Sequence, residues 1–303
     1  MKRLLVTGAG GFVGQAVLPL LSPDKFEIHA ISRRPVGTAG PLHWHPLDLE
    51  NPAAARDLVH RLRPDVLLHL AWLTAPGSFW NSPANLDWMR GTIRLFEAFR
   101  EAGGSRIVAT GSCAEYDWTG GLCDEQTTPC RPNTLYGRAK LACATYLDAL
   151  NSDSLRTAWA RLFFLYGPGA SEQRMPGVVL ASLGRGEPAR CSAGAQERDF
   201  THIADVAAAL VRILESDATG PVNVCSGEPV TIRQLAETTA RIVGRQDLLQ
   251  LGAVPTASHE PPRIVGTNAR LRELGWSPRY SLDEGLRQTV ETWKRRNLAA
   301  SSG

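Results

Sequence analysis

Tyr136 and Lys140 are the two residues whose types and spacing most directly suggest chemistry. They stand four residues apart in the segment Tyr-Gly-Arg-Ala-Lys, at the start of a stretch with helical character. Residues at this spacing lie on the same face of a helix, so both side chains would emerge together. An ammonium group beside a phenol lowers the phenol pKa, which would let Tyr136 exchange a proton with a substrate near neutral pH. A tyrosine at this spacing can also be a half-buried packing residue, and the residues upstream decide between the two.

A hydroxyl side chain precedes this pair by about two dozen residues. The apolar segment 106–110 ends in Gly111 and Ser112. The carboxyl ends of parallel strands are where doubly wound sheets bind ligands, so Ser112 would be placed to hydrogen-bond a substrate carbonyl or developing alkoxide. The alternative role of Ser112 is to cap a helix.

A glycine-rich segment begins the chain. Gly8, Gly11 and Gly14 form a GxxGxxG pattern directly after an apolar strand, with Phe12 and Val13 opening the helix that follows. Glycines let the backbone approach phosphates closely, and the helix N-terminus attracts their negative charge. We therefore expect these five residues to hold the pyrophosphate of a dinucleotide.

The residues after the second strand bear on which dinucleotide is bound. NAD sites usually place an acidic residue there to hold the ribose hydroxyls, but no Asp or Glu occurs between Glu27 and Asp48. Ser32, Arg33 and Arg34 stand there instead, and guanidinium groups pair well with a 2′-phosphate. The segment favours NADP over NAD, unless the arginines are only solvated surface charges.

The elements that would position these residues alternate along the first half of the chain. Short apolar runs predict strands, and longer amphipathic stretches between them predict helices. This alternation is typical of a parallel sheet wrapped by helices, an α/β fold. The predicted strands are residues 2–7, 27–32, 65–72, 105–111 and 157–165, and the predicted helices are 14–21, 53–62, 85–102, 135–150, 203–215, 232–243 and 282–295.

The domain organisation is indicated by a change in sequence pattern near residue 166, after which Gly and Pro residues divide the chain into short segments. We expect a nucleotide-binding domain over residues 1–166 and a mainly substrate-binding lobe over 167–298. One strand and one helix near 203–225 are expected to return to the first domain. Residues 299–303 are expected to form a loose tail.

Composition excludes several classes. The 303 residues are 43% hydrophobic and 21% charged with a net charge of +3 and no basic stripe, which gives no support for nucleic-acid binding. No apolar stretch predicts a signal peptide or a membrane span. The cysteines lack paired spacing, so we expect no metal and reduced thiols in the cytoplasm; they are Cys113, Cys123, Cys130, Cys143, Cys191 and Cys225.

Together these motifs resemble the extended short-chain dehydrogenase/reductase family, in its nucleotide-sugar epimerase, dehydratase and 4-ketoreductase branch. The resemblance covers nearly the whole chain. Beyond the glycine loop, Ser112 and the Tyr136/Lys140 pair, it is carried by Asp48-Leu49, His69-Leu70-Ala71, and the segments at 161–168, 198–206, 223–227 and 274–278.

This resemblance implies a doubly wound parallel Rossmann sheet with a smaller C-terminal substrate-binding lobe. It implies that Tyr136 and Lys140 also contact the cofactor, and that the chain forms a homodimer through helices 85–102 and 135–150. It further assigns Asp48, Leu49, Leu70 and Ala71 to the cofactor, Arg198 and Arg263 to the diphosphate of a nucleoside-diphosphate sugar, and Cys113, Trp72 and Phe164 to the substrate.

Departures from the family pattern narrow the set of reactions that the chain is expected to catalyse. Dehydratases of this branch carry an Asp-Glu pair directly after the strand-end hydroxyl, whereas Ser112 is followed by Cys113 and Ala114. Phe164 and Trp88 occupy places where many epimerases have asparagine.

We therefore expect an NADP-dependent reductase of a nucleoside-diphosphate 4-keto-6-deoxyhexose in deoxysugar or polysaccharide biosynthesis. An NAD-dependent nucleotide-sugar 4-epimerase is the alternative, and a non-catalytic NADP-sensing protein is a third.

Overall fold

The computed structural model describes residues 1–33, 42–73, 79–257 and 260–301, so the predicted cofactor residue Arg34 lies outside the described residues. The strands are β1 (Lys2–Thr7), β2 (Phe26–Ser32), β3 (Leu42–Pro46), β4 (Val66–His69), β5 (Arg106–Ser112), β6 (Leu122–Cys123), β7 (Arg156–Leu162), β8 (Phe164–Tyr166), β9 (Ala189–Arg190), β10 (Glu197–His202), β11 (Gly220–Val224), β12 (Pro229–Thr231), β13 (Leu249–Gln250) and β14 (Arg263–Gly266). The helices are α1 (Phe12–Val17), α2 (Pro52–Leu62), α3 (Ala84–Glu101), α4 (Leu135–Ala149), α5 (Gly177–Gly184), α6 (Ile203–Glu215), α7 (Ile232–Val243), α8 (Ala269–Glu273) and α9 (Leu282–Ser301).

The main sheet is parallel and has the order β11-β7-β5-β4-β1-β2-β3. Chain order reverses at β1, since β2 and β3 extend on one side of it and β4, β5, β7 and β11 on the other. This is the doubly wound arrangement expected of a Rossmann sheet, and ligands bind in it at the carboxyl ends of the strands. The fold class predicted from the sequence is confirmed.

Both faces of this sheet are covered, and successive β1 residues show how. Leu4 and Val6 face a buried cluster with residues of α6 such as Val206, whereas Leu5 faces the opposite cluster with α3 residues such as Phe96. All of these side chains are fully buried. An apolar run without polar alternation, as in β1, is what a strand buried on both faces requires.

The second half of the chain builds smaller sheets beside the carboxyl edge of the first. β12, β10, β14 and β6 pair in that order, and β8 pairs with β10, while β9 and β13 form a separate pair. β11 belongs to the main sheet and α6 packs against α1 and β5. Residues 203–224 thus pack on the main sheet although they follow the first residues of the smaller sheets in the chain.

Three boundaries differ from the sequence prediction. The predicted strand 157–165 divides into β7 and β8, because the chain leaves the main sheet at Phe163 to pair with β10. α1 ends at Val17 and gives way to a 3₁₀ turn that contains Pro19. α9 continues to Ser301, six residues past its predicted end. Among the described residues, no helix combines the length and apolarity needed to span a bilayer.

Candidate active site

Ser112, Tyr136 and Lys140 meet at the carboxyl edge of the main sheet. Ser112 is the last residue of β5, and Thr134 starts α4 by accepting a hydrogen bond from the Gly137 backbone, which sets Tyr136 and Lys140 in its first turns. The Ser112 hydroxyl lies beside the Tyr136 phenol and acts to lower its pKa. Lys140 Nζ donates to the Thr110 carbonyl of β5 at 2.7 Å. The structure thus brings the three predicted catalytic residues together.

The protonation states of this group follow from its burial. Burial raises the pKa of Tyr136, and the Ser112 hydroxyl only partly opposes that rise. Burial lowers the pKa of Lys140 to about 8. The sequence predicts a lowered Tyr136 pKa, and the structure corrects this direction. Because burial raises the pKa, the phenol is protonated at neutral pH.

Aromatic rings enclose Tyr136. Phe79 meets it edge-on at 5.0 Å between ring centres, Trp80 at 5.7 Å and Trp72 at 6.3 Å. The Trp72 ring also lies under Lys140 Nζ, 3.9 Å from the ring centre, a cation–π distance. These rings remove water from the proton-transfer group, which strengthens its electrostatic contacts.

Arg174 is a site residue that the sequence analysis missed. Its guanidinium carbon lies 5.3 Å from the centre of the Phe79 ring, and its positive charge acts to lower the Tyr136 pKa. No local motif announces this residue, because it comes from the loop before α5, 38 positions along the chain from Tyr136. Arg174 therefore adds a second cation to the proton-transfer site.

Glu115 lies behind Ser112 and is fully buried. Its carboxylate accepts hydrogen bonds from the Ser112 backbone at 2.7 Å and the Trp159 indole at 3.0 Å, and pairs with the Arg161 guanidinium at 2.8 Å. Every contact is internal, so Glu115 has no role as an acid or base toward a substrate. Ser112 Oγ accepts from the Ala114 backbone at 3.2 Å, so Ser112 also caps the 3₁₀ turn at 113–115.

The glycine loop fits a dinucleotide pyrophosphate. Gly8 has φ of +67°, and a Cβ there would lie 2.7 Å from the Ala71 backbone nitrogen, so the ends of β1 and β4 approach as only glycine allows. A Cβ at Gly14 would overlap the carbonyl oxygens of Gly8 and Ala9. The space above the N-terminus of α1, where Phe12 and Val13 begin the helix, is thereby kept free of side chains.

The other predicted cofactor residues surround this loop. Leu70 follows β4 and donates its backbone N–H to Thr7 at 3.2 Å. Ser32 ends β2, and Arg33 follows it with an exposed side chain. Asp48 and Leu49 lie two and three residues after β3, where Glu50 donates its backbone N–H to Asp48 at 3.1 Å.

The predicted substrate residues lie in different surroundings. Arg198 is 4% exposed, pairs with Glu260 at 2.9 Å and lies 5.7 Å from the Phe164 ring centre. Arg263 is exposed and pairs with Glu197 at 2.9 Å. Cys113 is 5% exposed in an apolar cluster, and burial raises its thiol pKa. The Cys113 side chain therefore packs in the core, although the residue directly follows Ser112.

The histidines at 43 and 45 on β3 both stack on His29 of β2, at 4.9 and 5.3 Å between ring centres. They share one face of the strand, as alternation predicts. Within residues 1–33, 42–73, 79–257 and 260–301, no cluster of His, Cys, Asp and Glu has the arrangement of a metal site.

Comparison with known proteins identifies proteins that are similar to this chain. The sequence profile of the NAD dependent epimerase/dehydratase family matches residues 4–225. GDP-6-deoxy-D-mannose reductase of Pseudomonas aeruginosa is 29% identical, covering 97% of this chain and 98% of the relative. UDP-glucose 4-epimerase of Mycolicibacterium smegmatis is 28% identical, covering 97% and 99%.

A solved structure agrees with these relatives. MoeE5 in complex with UDP-glucuronic acid and NAD superposes with a TM-score of 0.83 at 28% identity, over 97% of this chain and 99% of that one. With the glycine loop and the Ser112, Tyr136 and Lys140 geometry, the chain belongs to the NAD dependent epimerase/dehydratase family and is an NAD(P)-dependent enzyme of the extended short-chain dehydrogenase/reductase type.

Proposed function

We propose that this enzyme reduces a nucleoside-diphosphate 4-keto-6-deoxyhexose with NADPH. The observation that carries the proposal is the placement of Tyr136: a buried phenol beside Ser112 at the strand end, with Lys140 held in the same site and burial keeping the phenol pKa raised. A ketone reduction needs a proton donor that stays protonated at neutral pH, and this phenol meets that need.

Each residue has a distinct task in this reaction. The cofactor supplies the hydride that adds to the carbonyl carbon. Ser112 donates a hydrogen bond to the carbonyl oxygen as negative charge develops there, and Tyr136 gives that oxygen its proton. Lys140, tied to the Thr110 carbonyl, and Arg174, near Phe79, supply positive charge that stabilises the phenolate left on Tyr136. The phenolate then recovers its proton from solvent.

The preference for NADPH rests on charge. The Arg33 side chain is exposed just after β2. Residues 28–47 contain no carboxylate that would repel a 2′-phosphate. A net reductase must exchange its oxidised cofactor for a reduced one at every turnover, which suits NADPH. The Pseudomonas relative is likewise named as a reductase of a nucleotide-linked deoxysugar.

The second candidate is an NAD-dependent nucleotide-sugar 4-epimerase. The similarity to UDP-glucose 4-epimerase favours it, as does the similarity to MoeE5 in complex with UDP-glucuronic acid and NAD. An epimerase needs the same three residues and a substrate that can rotate within the site.

The aromatic surroundings of Tyr136 favour the reductase, because they suit a substrate with apolar character near the reacting carbon, such as a 6-deoxy sugar.

Absorbance of added NADPH or NADH, followed with a panel of nucleoside-diphosphate 4-keto-6-deoxysugars, tests the proposal. We expect substrate-dependent oxidation that is faster with NADPH. In Tyr136→Phe the rate should fall by roughly 100-fold or more, because general acid catalysis contributes that much. Interconversion of nucleoside-diphosphate hexoses with no consumption of added cofactor would instead establish the epimerase.

A further inference from the structure

A cavity lies against α1, and none of Ser112, Tyr136 and Lys140 lines it. Its volume is about 670 Å³, within the range of small-molecule sites. It is bounded by α1, the loop after β8, the start of α6, and α9. Its polar side chains are two guanidinium groups, two amides, an imidazole and a phenol, from Arg279, Arg296, Gln15, Gln288, His202 and Tyr280, and none of the carboxylates in the described part of the chain lines it.

Within the described residues neither Arg279 nor Arg296 forms a side-chain ion pair, whereas the neighbouring Arg295 pairs with Glu291. Asp205 lies in the first turn of α6, is 1% exposed and attracts Arg279. Its two carboxylate oxygens already accept the backbone N–H groups of residues 279 and 280, each at 3.1 Å, so its main effect is to fix the turn that carries Arg279.

The start of α6 adds to the positive potential. Ile203 and Ala204 line the cavity, and the N-terminus of this 13-residue helix attracts anions. His202 Nδ1 accepts from the Ala204 backbone at 3.4 Å, so the ring proton is on Nε2. That N–H is buried beside Gly167 without a partner among the described residues, and a buried donor without an acceptor needs an explanation.

Apolar groups complete the wall. Phe12 and Pro168 line the cavity together with Tyr280, whose ring is tilted by 38° against the His202 ring at 4.2 Å between centres. Arg296 reaches the same corner, since its Nη2 lies 3.7 Å from where a Cβ on Gly169 would be. The cavity thus offers cations at one end and flat apolar surface beside them.

We propose that this cavity binds a small organic phosphate or diphosphate, with its anionic group between Arg279, Arg296 and the N-terminus of α6. Arginine guanidinium groups and helix N-termini both suit phosphate oxygens. The apolar wall of Phe12, Pro168 and Tyr280 would contact the organic part. This site is separate from Ser112, Tyr136 and Lys140, and its existence does not depend on the reaction proposed above.

Calorimetric titration with inorganic pyrophosphate tests the proposal. The full chain is first saturated with NADP⁺ to occupy the cofactor site, and pyrophosphate is added to wild type, Arg279→Gln/Arg296→Gln and Arg295→Gln. We expect wild type and Arg295→Gln to bind pyrophosphate with equal affinity. The double variant should bind it at least about tenfold more weakly, because it loses charge-assisted contacts. Thermal unfolding of each variant verifies that it is folded.

Two results would overturn the proposal. One is a wild-type protein that takes up no pyrophosphate at millimolar concentration. The other is a double variant that binds as tightly as wild type, which would locate the anion elsewhere, for example at Arg198. Neither result bears on NADPH oxidation, so failure of this site and failure of the reductase proposal are distinguishable.

Discussion

Lys140 is buried against the Trp72 ring and the Thr110 carbonyl, and these surroundings set its ionisation. Its pKa of about 8 lies well below the usual value for lysine, whereas the pKa of Tyr136 is raised. Of these two groups, Lys140 is therefore the first to lose its proton as pH rises. Loss of the ammonium removes the charge that stabilises a phenolate on Tyr136.

We predict that kcat/KM falls as pH rises through about 8, because this parameter reports ionisations of the free enzyme. A stopped-flow or steady-state pH profile measures it. Lys140→Arg, which remains charged throughout, should be slower but should lack this alkaline limb. An unchanged limb in Lys140→Arg would assign the ionisation to another group.

Glu115 and Arg161 form the second residue-scale feature, an ion pair inside the core with side chains 0% and 6% exposed. We predict that Glu115→Gln lowers the free energy of unfolding by about 3–5 kcal/mol, because it leaves a buried cation unpaired. Urea denaturation measures the loss. Glu197→Gln breaks the exposed pair with Arg263 and should cost less than about 1 kcal/mol. Similar losses in both variants would contradict this account.

Sequence reasoning identified these residues unevenly. Ser112, Tyr136 and Lys140 could be found because two of them share a helix and the third ends a strand, so local spacing carries the signal. The environment of Glu115 could not be found, since its partners Trp159 and Arg161 are 44 and 46 residues away in sequence. Pairing across strands β5 and β7 creates that contact, and only the folded sheet reveals it.

At the scale of elements, the junction of β1 and α1 is the most constrained. Gly14 lies inside α1, yet a Cβ there would overlap backbone oxygens of the glycine loop. We predict that Gly14→Ala weakens NADP⁺ binding by tenfold or more, on the order of 1.4 kcal/mol. Fluorescence titration of the cofactor measures the effect.

A glycine on α3 supplies the control. A Cβ at Gly91 would lie 3.5 Å from the Leu49 carbonyl oxygen, an ordinary contact, so Gly91→Ala should leave cofactor binding unchanged. It should stabilise the fold by up to about 1 kcal/mol through helix propensity. Equal cofactor affinities in Gly14→Ala and wild type would refute the argument from backbone proximity.

Strands and helices were predictable where a hydrophobic pattern fits only one structural environment. β1 has the predicted bounds, because a run of apolar residues buried on both faces has no competing interpretation. Residues 157–165 also form one mainly apolar segment, broken by Arg161, but the chain divides it at Phe163 by exchanging β11 and β5 for β10 as pairing partners. Composition is the same on both sides of that change, so the sequence pattern could not predict it.

At the scale of the whole molecule, α3 and α4 pack against each other on one face of the main sheet, joined by the hydrogen bond of Tyr146 to Glu97 at 2.9 Å. We propose from the family resemblance that this helix pair also forms a homodimer interface. Sedimentation equilibrium should then give a mass near twice the 32.9 kDa of one chain. A mass of one chain at micromolar concentration would remove the dimer from the account.

The central claim is net hydride transfer from NADPH to a sugar carbonyl, and isotopic labelling tests it most directly. NADPH carrying deuterium at the transferred position is incubated with the enzyme and a nucleoside-diphosphate 4-keto-6-deoxyhexose, and the product is analysed by mass spectrometry. The account predicts one deuterium at C4 of each reduced sugar, and no product from Tyr136→Phe. Interconverted sugars that contain no deuterium would contradict it, because the hydride would then have been recycled from a cofactor that never left the site.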